Sequence, residues 1–220
     1  MSNPLYVFDM DETLFDADCA MLWNEFLVEK GIATESGFLE EDRRLMDLYA
    51  QGKMEMEEYL KFSMSPLSGV SKETVSLLVE QCIDEKILPL LFPQAATLIE
   101  QLKRDKIQTV IISASVSFLV SAIGKRIGID EAMGIDLVEE GDCYTNTVVG
   151  TPTYREGKVE RLQQWLDARL EPYTHIHFYT DSINDRSLCE YADHVYLVNP
   201  CPLLKALGEK KRWQQLTWSL

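Results

Sequence analysis

A short apolar run that ends in two aspartates constrains this chain more than any other feature. Leu5-Tyr6-Val7-Phe8 leads into Asp9-Met10-Asp11-Glu12-Thr13-Leu14. An aliphatic and aromatic run of this length reads as a strand buried on both faces, as found inside a parallel sheet. Such strands end in loops at one carboxyl edge, and ligands bind there. Two carboxylates held close at that edge resist joint ionisation unless a cation joins them. The stretch is therefore either part of a metal site or an Asp-rich turn, a setting that aspartate also favours.

Beyond Asp11 the period becomes helical. Met21, Leu22, Phe26 and Leu27 share a face that ends at Lys30-Gly31. Three further helices are predicted over 36–50, 53–63 and 71–84, with Ser71 as a helix start. No strand signal occurs between residues 16 and 86. The prolines of Leu88-Pro89-Leu90-Leu91-Phe92-Pro93 mark a junction, and Pro93 suits the first turn of a helix running to Arg104. Strands and helices then alternate. Strands are predicted at Ile107–Ile112, weakly at Ile135–Val138, at Ile176–Thr180 and at His194–Val198. A hairpin is predicted over 139–150. Helices are predicted over 115–127, 157–170 and 184–191, and a short one after Pro202. Trp213–Trp218 reads as an edge strand or packed coil. This is the pattern of βαβ units with right-handed crossovers. The predicted fold is α/β, a Rossmann-like parallel sheet with a helical cap inserted after the first strand. Residues 1–15 and 88–220 make the core and 16–87 the cap.

Charge and cysteine content narrow the function. With 36 acids against 21 bases the net charge is -15, which counts against nucleic acid and against an anionic membrane surface. The segment 35–85 carries twelve acids against five bases, as a solvated helical face would. No run is long enough to span a bilayer. Met1-Ser2-Asn3-Pro4 leads directly into the first strand without the marks of a signal peptide. Cys19, Cys82, Cys143, Cys189 and Cys201 are odd in number and form no C-x-x-C pair, so they read as reduced thiols of a cytoplasmic protein. His175, His177 and His194 are expected in packing or surface roles.

The predicted strand ends carry the chemistry. The first gives Asp9 and Asp11, the second Ser113, and a later one Asp181 with Asp185 four residues on. Lys158 opens the helix before that strand. A parallel sheet brings these ends to one edge. Singly, each has a plainer reading: Ser113 as a strand end, Lys158 as a solvated lysine, Asp185 as an acid favoured at a helix N-terminus. Together they suit phosphoryl transfer. Three carboxylates and a main-chain carbonyl can hold Mg²⁺. Lys158 and Ser113 can meet the phosphate. One carboxylate can attack phosphorus while another moves the proton.

The segments Asp9-Met10-Asp11-Glu12-Thr13, Ser113, Lys158 and Asp181-Ser182-Ile183-Asn184-Asp185 resemble the four motifs of the haloacid dehalogenase superfamily. The helical insertion resembles its phosphoserine-phosphatase-like branch, subfamily IB. The resemblance covers nearly the whole chain. It implies a phosphatase with Asp9 as nucleophile and Asp11 as general acid/base. It implies Mg²⁺ held by Asp9, the Asp11 carbonyl and Asp181. Thr13 would brace the loop, Asn184 would order its own loop, and Asp185 would support the metal or orient Lys158. The phosphoserine phosphatases have Gly-Asp-Gly and Ser-Gly-Gly where this chain has Thr180-Asp181-Ser182 and Ser113-Ala114-Ser115. That departure counts against phosphoserine itself.

In the cap, Asp18 either binds a substrate amine or caps a helix. Arg43 and Arg44 either clasp a carboxylate or form a basic spot on an acidic helix. Met46, Tyr49, Met54, Met56 and Tyr59 line an adaptable pocket or fill helical core. The acid excess of the cap favours a cationic leaving group, and the expected substrate is a small-metabolite phosphomonoester, an amino-alcohol or amino-acid phosphate such as phosphoserine or histidinol phosphate. The alternatives are a phosphotransferase using the same intermediate and a non-catalytic phosphometabolite-binding protein.

Overall fold

The computed structural model describes residues 3–220, so Met1 and Ser2, the first part of the predicted leader-free N-terminus, lie outside the described residues. Strand β1 (Pro4–Phe8) is central in a six-stranded sheet of order β3-β2-β1-β6-β7-β8. Its partners are β2 (Gln108–Val116) and β6 (His175–Thr180), followed outward by β3 (Glu131–Ile135), β7 (His194–Val198) and β8 (Gln214–Leu216). Every pairing in this sheet is parallel. Phe8 stands level with Ile111 on one side and Tyr179 on the other. That register sets the carboxyl ends of β1 and β6, and the stretch around Ser113, side by side.

Alternation along the strands supplies two cores. Phe8, Ile111, Tyr179 and Val198 face one side, with Ala95, Ile99 and Leu102 of α5 (Pro93–Arg104) and Leu119, Val120 and Ile123 of α6 (Ser117–Ile127). The spacing of these helix residues, three or four apart, is that of one buried face. Leu5, Val7, Val110, Phe178 and Leu197 face the other side. There they meet Leu162 of α7 (Glu156–Asp167), Leu188 of α8 (Arg186–Tyr191) and Leu204 of α9 (Pro202–Lys211).

Between β1 and β2 the chain builds α1 (Cys19–Glu29), α2 (Phe38–Ala50), α3 (Met56–Ser63) and α4 (Lys72–Cys82). Asp18 caps α1 by accepting the Met21 N–H at 2.9 Å, and Ser71 caps α4 through Thr74. Each supplies an acceptor that the first helical turn otherwise lacks. The outgoing and returning segments run together: Asp16 N–H donates to the Leu90 carbonyl, and Phe92 N–H to that of Leu14. Among the described residues no helix is long and apolar enough to cross a membrane.

Three sequence expectations need correction. The second strand does not end at Ser113. It continues through an irregularity to Val116, which pairs with Ile135. The third sheet strand is Glu131–Ile135 rather than 135–138. Residues Leu137–Glu140 instead form β4, antiparallel to β5 (Cys143–Val148), so the hairpin starts earlier than predicted. This hairpin leaves the sheet and packs on the helical block. Leu137 and Val148 lie against a cluster of Leu45, Met54, Met56, Tyr59 and Leu60. Lys72 pairs with Glu139 at 2.5 Å.

Candidate active site

Asp9 is the first residue past β1, and its N–H still donates to the Tyr179 carbonyl at 2.9 Å. The following loop turns sharply, with Leu14 N–H on the Met10 carbonyl and both of those side chains fully buried beneath it. Lys158, in the first turn of α7, reaches this edge and is 1% exposed. Its ammonium lies 2.8 Å from Asp9 Oδ1 and 2.7 Å from Asp185 Oδ1. The Thr180 hydroxyl donates to Asp185 Oδ2 at 2.7 Å, which fixes that carboxylate on the lysine. Thr13 donates to Asp181 Oδ1 at 3.0 Å.

Asp11 is held differently. Its Oδ1 accepts the Cys19 N–H at 2.8 Å, and its Oδ2 accepts the hydroxyls of Ser113 (3.0 Å) and Ser115 (3.2 Å). Ser113 therefore meets Asp11 here. Its carbonyl in turn accepts the Thr153 hydroxyl. The structure brings Asp9, Asp11, Thr13, Ser113, Lys158, Asp181, Asn184 and Asp185 together. Ser115, Thr153 and Thr180 join them without having been singled out in the sequence.

Burial raises the pKa of Asp9 to about 7; the Lys158 charge opposes this, and Asp185 and Asp11 add to it. Burial also raises Asp11, against the pull of the Cys19 N–H and Ser113. Asp181 is raised well above the usual carboxylate range by burial and then by Asp9. Burial by itself would lower Lys158, but Asp185 and Asp9 outweigh it and raise it. Four carboxylates thus gather at an edge with one buried ammonium, which pairs with Asp9 and Asp185 alone. That excess of buried negative charge, on hard oxygen donors, fits a divalent cation such as Mg²⁺. Among the described residues no three His, Cys, Asp or Glu side chains converge as a ready metal cage. Asp11 turns its carboxylate to Cys19, Ser113 and Ser115, so a cation at this edge would meet the remaining oxygens of Asp9 and Asp181.

Over this edge lies a small cavity of about 30 Å³. Asp11, Ala114 and Ser115 line it from the sheet, Asp18 and Ala20 from the start of α1, and Met46, Tyr49, Met54, Met56 and Tyr59 from the helical block. The Met and Tyr residues line the pocket and fill core at once, since Met54, Met56 and Tyr59 also belong to a buried cluster. Asp18 both caps α1 and faces the cavity. Arg43 and Arg44 do not reach it. Both are exposed, and Arg44 pairs with Glu41 at 2.7 Å and Glu58 at 3.1 Å. Their helix buries Phe38, Asp42 and Leu45, which turns 43 and 44 outward.

Hydrogen bonds also tie the helical block to the sheet edge, among them one from the Tyr154 hydroxyl to the Met54 carbonyl at 3.5 Å. Asn184 Nδ2 donates to the Tyr49 carbonyl at 2.9 Å, and the Arg155 guanidinium donates to the Gly52 carbonyl.

A family model described as haloacid dehalogenase-like hydrolase matches residues 6–190. A histidinol-phosphatase of Neisseria meningitidis serogroup C (strain 8013) is 30% identical over 218 residues, covering 97% of this chain and 98% of that protein. A phosphoserine phosphatase of Mycobacterium tuberculosis is 22% identical, covering 94% of this chain and 68% of its own length. Among solved structures, a protein of unknown function from Bordetella pertussis Tohama I superposes with a TM-score of 0.88 at 28% identity, covering 98% and 99% of the two chains. A phosphoserine phosphatase held as a phospho-aspartyl intermediate analogue gives 0.68 at 22% identity, covering 94% and 91%, a likeness of fold.

Proposed function

The chain belongs to the haloacid dehalogenase-like hydrolases and is a phosphatase of that family, and we propose that it hydrolyses a small phosphomonoester through an aspartyl-phosphate on Asp9, with Mg²⁺ as cofactor. The observation that carries this is the buried chain Asp9–Lys158–Asp185 beside Asp11 and Asp181 at one sheet edge. Asp9, the Asp11 carbonyl and Asp181 would hold Mg²⁺. When bound, the ion neutralises the phosphate and lets an anionic carboxylate approach it.

Lys158 engages Oδ1 of Asp9, which leaves Oδ2 to attack phosphorus. The new bond forms as the bond to the leaving oxygen breaks. Asp11, whose raised pKa keeps a proton available, delivers it to that oxygen. Asp11 then takes a proton from water, the water oxygen attacks phosphorus, and Asp9 is released with inorganic phosphate. Lys158 also faces the negative charge of the transferring group. Thr13 braces Asp181, Asp185 orients Lys158, and Asn184 ties the helical cap, residues 16–87, to the core. Five unpaired thiols support a reducing, cytoplasmic setting.

The leaving group is read by the cavity. Its lining presents Asp18 and, among the described residues, no arginine or lysine. A leaving group with an ammonium or imidazolium and no carboxylate matches that lining. Phosphoserine would bring a carboxylate with nothing to pair it. Histidinol phosphate has the required chemistry, and the Neisseria relative carries that activity in its name. The test is a panel of phosphomonoesters with Mg²⁺ and an Asp9→Asn control. Histidinol phosphate is expected to exceed phosphoserine by about 100-fold in kcat/KM. Equal turnover of phosphoserine overturns the substrate assignment, and no turnover above the control overturns the enzyme. Phosphate appearing on an added alcohol instead of in solution would mark a transferase.

A further inference from the structure

The Arg155 backbone has φ +51° and ψ −122°. Positive φ disfavours any residue with a Cβ, so glycine would rest there more comfortably. An arginine in that position implies that its side chain does something worth the strain. Its guanidinium lies over the Tyr154 ring at 4.7 Å from the centroid and donates to the Gly52 carbonyl, in the turn that joins α2 to α3. The Tyr154 ring in turn stacks on Tyr49 at 5.7 Å. Tyr49 lies within the electrostatic field of Asp9, Asp181 and Asp185 and lines the cavity. One residue thus reaches, through a cation–π contact and a stack, the aromatic side chain that roofs the catalytic carboxylates.

The cavity under that roof holds about 30 Å³, room for roughly one water. A leaving group larger than a water needs more room than that, so the position of the turn bears on substrate entry.

We propose that Arg155 is a positioning residue that latches the α2–α3 turn over the active site and so sets the balance between open and closed cap. Arg155 is also the N-cap residue of α7, three residues before Lys158. The latch therefore grows from the helix that carries the catalytic ammonium, and cap closure and lysine placement share one anchor. The inference rests on the phosphatase reading for its kinetic consequence, but its structural content can be measured without turnover.

Arg155→Gly is the informative variant, because it removes the latch while relaxing the backbone. Hydrogen exchange of the Gly52 and Lys53 amides, which close the turn onto Tyr49 and Leu48, is expected to accelerate at least about tenfold. The melting temperature is expected to hold or rise. With p-nitrophenyl phosphate and Mg²⁺, kcat/KM is expected to fall about tenfold as the closed complex is depopulated. Unchanged exchange overturns the latch. So does a melting temperature lower by more than about 5 °C, which would make Arg155 a support of the fold. A kcat/KM within twofold of wild type overturns it even if exchange rises. If the wild-type enzyme turns over no phosphomonoester, the functional reading fails while the exchange comparison still decides the latch.

Discussion

Asp185 Oδ1 lies 2.7 Å from the ammonium of Lys158, and neither side chain is more than 1% exposed. The acid that begins a short helix is thereby committed to a lysine on a different helix. Of the two roles the sequence left open for Asp185, support of a metal or orientation of Lys158, the geometry favours the second. Thr180 completes the relay, since its hydroxyl donates to Asp185 and accepts the Ser182 N–H.

Replacing Asp185 with Asn should leave Lys158 loosely aimed. A kcat lower by about 100-fold, with a smaller change in KM, is expected from steady-state kinetics, because aim and charge matter most in the transition state. A change confined to KM would place Asp185 in substrate binding instead.

Asp11→Asn keeps the acceptor for Cys19 and the main-chain carbonyl while removing the transferable proton. Turnover should fall by about 10²–10⁴-fold. The rise in melting temperature caused by Mg²⁺ should persist. Loss of both would mean that the Asp11 side chain, and not its carbonyl alone, serves the metal.

Stability without metal should fall as pH rises from about 4 to about 7. Asp9 titrates near 3.8 when unfolded and near 7 in the fold. Across that interval the native state holds a proton that the unfolded chain has released, so raising pH favours unfolding. Asp11 and Asp181 shift in the same direction. A divalent cation favours the ionised carboxylates, so the gain in melting temperature on adding Mg²⁺ should be larger near pH 8 than near pH 5. Thermal melts with EDTA or Mg²⁺ at the two pH values check both signs.

Gly157→Ala should be costly. A Cβ there would lie 2.0 Å from the Pro152 carbonyl oxygen, a backbone atom that cannot step aside cheaply. A loss of about 2–3 kcal/mol in denaturant unfolding is expected. Lys158 follows one residue later, so turnover should drop more than stability alone explains.

The site was legible because its charged residues end strands whose apolar runs are unmistakable: Val7-Phe8 before Asp9, Phe178-Tyr179-Thr180 before Asp181. The third strand was not. Glu131-Ala132-Met133-Gly134-Ile135 lacks a β-branched run, and its glycine is required by close approach, since a Cβ on Gly134 would meet the Ser115 carbonyl at 2.7 Å. For Arg43 and Arg44 the sequence left open a carboxylate clasp or a basic spot on an acidic helix, and the helical pattern bears on that choice. Phe38, Asp42, Leu45 and Tyr49 recur at helical spacing, and that stripe puts 43 and 44 on the outer face. Thr180 and Ser115 entered the sequence reading only as departures from the family's glycines, and Thr153 lies outside the motifs; none carries a charge, and only the fold gives them their partners.

The β4–β5 hairpin has a consequence for exchanging specificity between relatives. The Lys72 N–H donates to the Asp142 carbonyl, and Ser71 bridges to Cys143. A graft of residues 16–87 alone would sever those bonds and strip the cover from Leu137 and Val148. The helical block and the hairpin thus form one packed unit made of two separate segments, and an exchange that keeps its packing has to take both as a pair.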